Sequence, residues 1–145
     1  MIWHTSNNAF CVVVSNTYLF YTTRLQLMEG IFNLTTMVDP TTDTIQSVVS
    51  SLLSVSSNAK DINRNAASLA KEALSWIFDN SINQNVTYDV VRPAIAVLDR
   101  ISTFIAMQDL VTLIEQYVQV VSRDMLPGQV CLLRCLLECL LRCLL

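Results

Sequence analysis

The chain has 145 residues, of which 52% are hydrophobic and 14% are charged, and its formal net charge is −3. With only 2 Gly and 3 Pro it is a poor candidate for a turn-rich β-sandwich or barrel, and without a Lys/Arg cluster it is a poor candidate for binding nucleic acid. We therefore expect an all-α fold, a small bundle of four to five helices around one core.

Residues 1–23 predict an irregular lead-in to the bundle. The stretch 9–23 is rich in β-branched and aromatic residues, which is typical of a strand pair turning at Ser15-Asn16 or of irregular chain before a helix. It lacks the basic region and the sustained apolar run of a signal peptide, and no later run is long enough for a transmembrane helix. If the chain is complete as given, these features indicate a cytoplasmic protein.

Residues 24–126 have the periodicity of a helical bundle domain. A first helix over 24–36 ends at Asp39-Pro40, and a second helix begins with Thr42 or Asp43 as its N-cap. The second helix has an outer face covered by serines. Its inner stripe is the plainest in the chain and consists of Ile45, Val48, Val49, Leu52 and Leu53.

After a polar linker at 58–63, Asp61 is positioned to cap a third helix that runs to about Phe78. Small residues on its apolar face favour close packing against a neighbour. The face consists of Ala66, Ala67, Ala70, Ala73, Leu74, Ile77 and Phe78. The polar stretch 80–87 that follows predicts a turn.

The longest tract with helical periodicity is 92–121, and we expect the other helices to pack around it. Its apolar face changes sides between Ile105 and Asp109. Two interpretations remain open. Either the helix breaks there and Asp109 caps a new one, or a continuous helix is covered first on one side and then on the other. Pro127-Gly128 closes the tract.

Residues 127–145 form a Cys/Leu-rich, low-complexity tail with a four-residue repeat of Cys-Leu-Leu and a charged residue. If the tail is an appended apolar helix, its length is less than the thickness of the hydrocarbon core of a bilayer. We interpret it as a translated tandem nucleotide repeat, which predicts that the tail is exposed or loosely packed. Burial of its leucines in the main core would contradict this, in particular burial of Leu133, Leu136 and Leu140.

The sequence predicts no catalytic, cofactor-binding or metal-binding residue. Cys131, Cys135, Cys139 and Cys143 would span about 18 Å of a helix, so the four thiolates cannot all reach one ion. Acylation of these thiols beside a membrane is an alternative, and an apolar tail without chemistry is the simpler interpretation. His4 lies in a polar segment with no positioned acid. Capping explains the acidic residues at predicted helix starts, which are Asp39, Asp43, Asp61 and Asp89.

Two features indicate function without catalysis. The first is a pair of N-glycosylation sequons, Asn33-Leu34-Thr35 in a predicted helix and Asn85-Val86-Thr87 in a predicted exposed loop, and the loop position favours Asn85. The second is a candidate protein-interaction face on the second half of the central tract. It consists of Met107, Leu110, Ile114, Tyr117, Val118 and Val121.

The tract 25–129 resembles the helical subdomain of the GAIN domain, which precedes the membrane in adhesion-type G-protein-coupled receptors and has a relative in polycystin-like proteins. The matching stretches are LQLMEGIFNLTT, the serine-rich helix DTIQSVVSSLLSVSSN, and NVTYDVVRPAIAVLDRISTFIA with the closing LPGQ. The resemblance implies an extracellular scaffold without catalysis. The family's cleavage motif, a His-Leu-Thr/Ser tripeptide in a β-rich second half, has no counterpart after Gln129, so we expect no cleavage site.

We therefore expect a non-enzymatic helical module, a fragment of the extracellular juxtamembrane region of a larger receptor or polycystin-like membrane protein. Its partners would be proteins bound through exposed apolar helix faces, self-association included. It would meet a membrane only through the C-terminal tail or a segment of the parent protein. The alternative is an intracellular helical adaptor that binds a partner helix through the face between Met107 and Val121.

Overall fold

The computed structural model describes the backbone of residues 3–125 and 127–144 and the side chains of residues 18–125, 127–139 and 142–143. All regular structure within these residues is helical, which confirms the predicted all-α fold. The elements are α1 (Trp3–Met37), α2 (Thr42–Val55), a 3₁₀ turn (Ala59–Asp61), α3 (Arg64–Asn83), the single turn α4 (Tyr88–Val91), α5 (Ala94–Ile101), α6 (Met107–Arg123) and α7 (Pro127–Leu144).

The N-terminal segment belongs to α1, so the predicted strand pair or irregular lead-in is wrong for residues 3–23. β-branched and aromatic residues disfavour a helix only slightly, and such preferences are routinely overridden. Near the end of this segment the hydroxyls of Thr22 and Thr23 donate to the carbonyl oxygens of Tyr18 and Leu19, at 2.9 and 2.8 Å. The helix therefore satisfies these polar side chains internally.

The cap of α2 is Thr41, one residue before the predicted Thr42 or Asp43. The Thr41 hydroxyl accepts a hydrogen bond from the amide of Thr44, and the Thr44 hydroxyl accepts one from the amide of Thr41 at 2.8 Å. This reciprocal capping box satisfies two backbone donors at once, which a single cap at 42 or 43 would not do.

The cap of α3 is Asn63, whose side-chain oxygen accepts a hydrogen bond from the Ala66 amide at 2.8 Å, so the prediction of Asp61 is wrong. Asp61 lies in the 3₁₀ turn instead, where its carboxylate is 3.9 Å from the guanidinium of Arg24. α3 also continues to Asn83, into the stretch 80–87 that was predicted as a turn.

α3 is the helix against which the others pack, since it contacts α1, α2, α5 and α6. The expectation that 92–121 is the centre of the bundle is therefore wrong. The predicted apolar face of α3 is confirmed as buried, and its small side chains let neighbouring helices approach closely. The exposed fraction is 0 or 1% for Ala66, Ala67, Ala70, Ala73, Leu74, Ile77 and Phe78.

The tract 92–121 is two helices, as the first of the two interpretations has it. α5 ends at Ile101 and α6 begins at Met107. The N-cap of α6 is Ala106, which makes no side-chain cap bond, so the prediction that Asp109 is the cap is wrong. Asp109 lies in the first turn of α6, where its carboxylate accepts a hydrogen bond from Lys71 of α3 at 3.2 Å.

The Cys/Leu-rich tail forms α7 at the edge of the bundle. Leu132 and Leu136 are 66% and 59% exposed and Leu133 is half-buried, while the side chain of Leu140 lies outside the described residues. This agrees with the predicted loose packing of the tail. Among the residues that the structure describes, no helix combines the length and the apolar character needed to cross a bilayer.

Candidate functional site

The Asn85 sequon lies at the turn that follows α3. Asn85 has a φ of 54°, in the left-handed region, and comes directly after the C-cap residue Gln84. The amide of Val86 donates to the carbonyl oxygen of Ser81 at 3.1 Å, and the Val86 side chain is buried. This is a Schellman arrangement, in which Asn is one of the few residues besides Gly that accept the left-handed position. Helix termination therefore accounts for the asparagine at 85.

Two side chains at the end of α6 hold this turn in place. The guanidinium of Arg123 donates to the carbonyl oxygens of Ile82 and Val86, at 3.0 and 2.7 Å. The carboxylate of Asp124 accepts a hydrogen bond from the amide of Tyr88 at 2.7 Å, at the start of α4. The turn is therefore fixed from both sides by contacts between residues about 40 positions apart, which no local pattern predicts.

The two sequons differ in the accessibility of their hydroxyl residue. Asn85 and Thr87 are both exposed, and Thr87 makes no side-chain cap bond. Asn33 is also exposed, but Thr35 is only 6% exposed and its hydroxyl donates to the carbonyl oxygen of Phe32 at 2.7 Å. Because a glycosylation acceptor needs an accessible sequon, the geometry favours Asn85 over Asn33.

The candidate interaction face of α6 is mostly used inside the molecule. Val121 is 5% exposed, and the half-buried side chains that pack against the core are Leu110, Ile114 and Tyr117. Met107, at the start of the helix, is 44% exposed. The part of this face that is open to a partner is therefore smaller than the periodicity of α6 predicts.

The remainder of the face opens into a groove between α6 and α7. Ile114 and Val118 line one wall, and Leu137 of α7 lines the other, with Arg134 and Glu138 beside it. The groove has a volume of about 270 Å³. It combines apolar walls with charged groups of both signs.

Tyr117 joins this face to the core of α3. Its ring meets the ring of Phe78 edge to face, with the centroids 5.7 Å apart. Burial raises the pKa of the Tyr117 hydroxyl strongly, and hydrogen bonding to Tyr88 raises it further. The hydroxyl therefore stays protonated to a higher pH than that of an exposed tyrosine.

An uncovered apolar stripe runs along α1, away from the bundle core. Its large members repeat every seven residues and are exposed by 58% (Phe20), 47% (Leu27) and 49% (Leu34). We name this stripe the α1 seam, and its members are Phe20, Thr23, Leu27, Gly30, Leu34 and Met37. Sequence periodicity predicts the opposite, buried side of α1, but periodicity does not indicate which other sides remain uncovered.

Gly30 lies in the middle of the α1 seam. Glycine in a helix interior costs roughly 1 kcal/mol relative to alanine. A Cβ atom at Gly30 would meet nothing within 4 Å, so no contact within the described chain requires a glycine there. The position is a shallow gap in an otherwise apolar, exposed surface.

The tail cysteines are separate from these surfaces. Cys131, Cys135, Cys139 and Cys143 are all exposed on α7. Within the residues that the structure describes, no three His, Cys, Asp or Glu side chains are grouped as metal ligands.

Comparison of the chain with known protein families, with curated proteins and with solved structures found no match.

Proposed function

We propose that this chain is a non-enzymatic helical module that binds protein, derived from the extracellular juxtamembrane region of a larger receptor or polycystin-like membrane protein. The observation that carries the extracellular assignment is the exposed sequon at Asn85 and Thr87, on a turn whose backbone is fixed by Arg123 and Asp124. The resemblance to the helical subdomain of the GAIN domain supports the same assignment. The exposed α1 seam supports a role in binding protein, because contiguous apolar surface is typical of interaction sites.

The test is secreted expression of the full chain in a glycosylating host. We expect the mass to fall on N-glycosidase treatment, and to be insensitive to the enzyme in the variant Asn85→Gly. Glycine suits the left-handed φ of position 85, so this variant removes the acceptor without disturbing the turn.

Three further variants serve as controls for the two sequons. Thr87→Ser preserves it and should retain the glycan, whereas Thr87→Ala should lose it. Asn33→Gln should change nothing, because the buried Thr35 makes the first sequon a poor acceptor. A secreted, folded chain whose mass is unchanged by N-glycosidase would refute the extracellular assignment.

The alternative function is that of an intracellular adaptor that binds a partner helix in the groove between α6 and α7. The apolar walls at Val118 and Leu137 support it. Val118→Asp is the variant to test, because Val118 faces the groove, whereas Ile114 also packs against the core and its substitution would weaken the fold. Cytosolic partners that are recovered equally well by the wild type and by Val118→Asp would refute this function.

A further inference from the structure

The α1 seam has the repeat of a helix that pairs with another helix. Phe20, Leu27 and Leu34 are seven residues apart, and Thr23, Gly30 and Met37 follow each of them by three residues. This is the spacing of the a and d positions of a heptad repeat. The helix has no partner on this side within the described chain, since its buried side chains Met28 and Ile31 face the bundle.

The seam is complementary to itself when two copies of α1 run antiparallel. If the two-fold axis passes midway between Leu27 and Gly30, each leucine at 27 faces the glycine at 30 of the second copy. In the same register Phe20 faces Met37, and Leu34 faces Thr23. In the pairs of Leu27 with Gly30 and of Leu34 with Thr23, a large side chain faces a small one. This is the condition for side chains to interdigitate.

Neither of the two charged residues among the described side chains of α1, Arg24 and Glu29, lies on the seam. Arg24 points to the bundle, where its guanidinium donates to the carbonyl oxygen of Val55 at 2.9 Å, and Glu29 projects about 160° away from Leu27 round the helix. On one flank, serines of α2 line a groove of about 520 Å³ beside Leu27 and Ile31. A second helix can therefore approach the seam without burying the charge of Arg24 or of Glu29.

The exposed area is sufficient for a weak, specific dimer. The exposed parts of Phe20, Leu27, Leu34 and Met37, with the adjacent Leu19, amount to roughly 500 Å² per copy. Complete burial of these parts in both copies gives roughly 1,000 Å², which is the lower limit of specific protein interfaces.

We propose that the α1 seam pairs with the α1 seam of a second copy of this chain, in an antiparallel register centred between Leu27 and Gly30. The inference rests on the proposed role as a protein-binding module, and it names the partner. The glycine at 30, which nothing within the described chain requires, is the gap that receives the leucine at 27 of the second copy.

Sedimentation equilibrium of the full chain tests the pairing, with a reducing agent present because the tail cysteines are exposed. We expect the mass to rise with concentration from 16.3 kDa towards twice that value. Leu27→Glu should raise the dissociation constant at least about 100-fold, since each dimer loses two buried leucines. The matched control is Ile95→Glu, which alters a side chain of similar size that is 40% exposed on α5, and it should leave the mass unchanged.

Two further variants test the register and separate pairing from folding. In Leu27→Glu/Gly30→Lys, the antiparallel register sets the new carboxylate opposite the new ammonium of the second copy, so dimers should return. A parallel pair would set the carboxylates opposite each other. Gly30→Gln should raise the urea midpoint of the monomer, because it improves helix propensity, and yet weaken the dimer by filling the gap.

A chain that stays at 16.3 kDa at every concentration, or a dimer that Leu27→Glu does not weaken, would overturn the proposal. A dimer that forms through α7 would give the second result, because Leu27→Glu would not weaken it. Neither result bears on the glycan at Asn85, which is measured separately, so failure of the pairing and failure of the extracellular assignment are distinguishable.

Discussion

Arg24, Arg100 and Arg123 each bring a guanidinium to the C-terminal end of a helix to which they do not belong. Arg24 and Arg100 donate to the carbonyl oxygens of Val55 and Leu53 in the last turn of α2, at 2.9 and 3.1 Å. Arg123 does the same at the end of α3. Neither α2 nor α3 has a basic residue in its own last turn. The three arginines therefore supply the positive charge that the helix dipole and the unpaired carbonyl groups favour.

Replacement of Arg100 tests this role. Arg100→Gln should lower the free energy of unfolding by about 1–2 kcal/mol, because it removes a charged donor from Leu53 and from the hydroxyl of Ser56. Urea denaturation followed by circular dichroism measures the change. The matched control is Arg64→Gln, at an exposed arginine in the first turn of α3, which should change stability by less than about 0.5 kcal/mol. Equal effects of the two variants would contradict the capping role.

Tyr117 makes stability depend on pH in the alkaline range. Burial, and then hydrogen bonding to Tyr88, raise the pKa of its hydroxyl above the ordinary value of 10.0. As the pH rises, the unfolded chain loses this proton first. The stabilisation is therefore complete below about pH 10 and is lost as the pH rises towards the pKa of the folded state. Lys71 acts in the same direction, because its hydrogen bond with Asp109 raises its pKa above 10.5.

We expect the free energy of unfolding of the wild type to fall as the pH rises above about 10. The free energy of unfolding of Tyr117→Phe should fall less steeply with pH, because this variant keeps the ring contact with Phe78 and has no hydroxyl to ionise. The contribution of Lys71 remains in both proteins. Urea denaturation at a series of pH values measures the two curves, and Tyr18→Phe, at a tyrosine that is 73% exposed, is the control. Parallel curves for the wild type and Tyr117→Phe would contradict the prediction.

At the scale of elements, the start of α6 is a helix end without a side-chain cap. Ala106 has the extended backbone of an N-cap, with φ −65° and ψ 146°, but no side-chain oxygen to accept a hydrogen bond. Ala106→Ser should therefore raise the free energy of unfolding by about 1 kcal/mol. The control Ala106→Val fits the same backbone but supplies no acceptor, so it should have no such effect. The urea midpoints of the wild type and the two variants measure the effect. A serine variant no more stable than the valine variant would refute the predicted capping by serine.

Amphipathic stripes made α2, α3, α5 and α6 predictable from the sequence. The stripe of α2 is an example, because Ile45, Val48, Val49 and Leu52 are spaced for one helix face and are buried as predicted. The change of apolar face near Ile105 likewise marked the break between α5 and α6. The helical course of residues 3–23 does not follow from local preference, because β-branched and aromatic residues favour a strand only weakly and packing routinely overrides such a preference.

Contacts between distant residues were not predictable in the same way. The bond of Lys71 to Asp109 and the bonds of Arg123 to the Asn85 turn join residues of different helices. A single sequence contains no periodicity that pairs them. The exposure of Asn85 could be predicted, because a polar stretch between two helices indicates a loop. That the α1 seam is uncovered follows only from the arrangement of all the helices.

At the scale of the whole molecule, stability should be concentrated around α3. Phe78 and Leu74 are completely buried there, between helices that come from both halves of the chain. α7 differs, because Leu132 and Leu136 are largely exposed, and its described contact with the bundle is the groove against Ile114 and Val118. The bundle and the tail should therefore respond differently to substitution and to truncation.

Removal of residues 126–145 should leave the free energy of unfolding within about 0.5 kcal/mol of the wild type, because it removes few buried contacts. The helical circular dichroism signal should fall while the urea midpoint stays the same. Phe78→Ala, in contrast, should cost about 3–5 kcal/mol, since it opens a cavity in the face of α3 that all the neighbouring helices share. A loss of more than about 2 kcal/mol on truncation, comparable to a core substitution, would mean that α7 unfolds together with the bundle and that its leucines are part of the cooperative core.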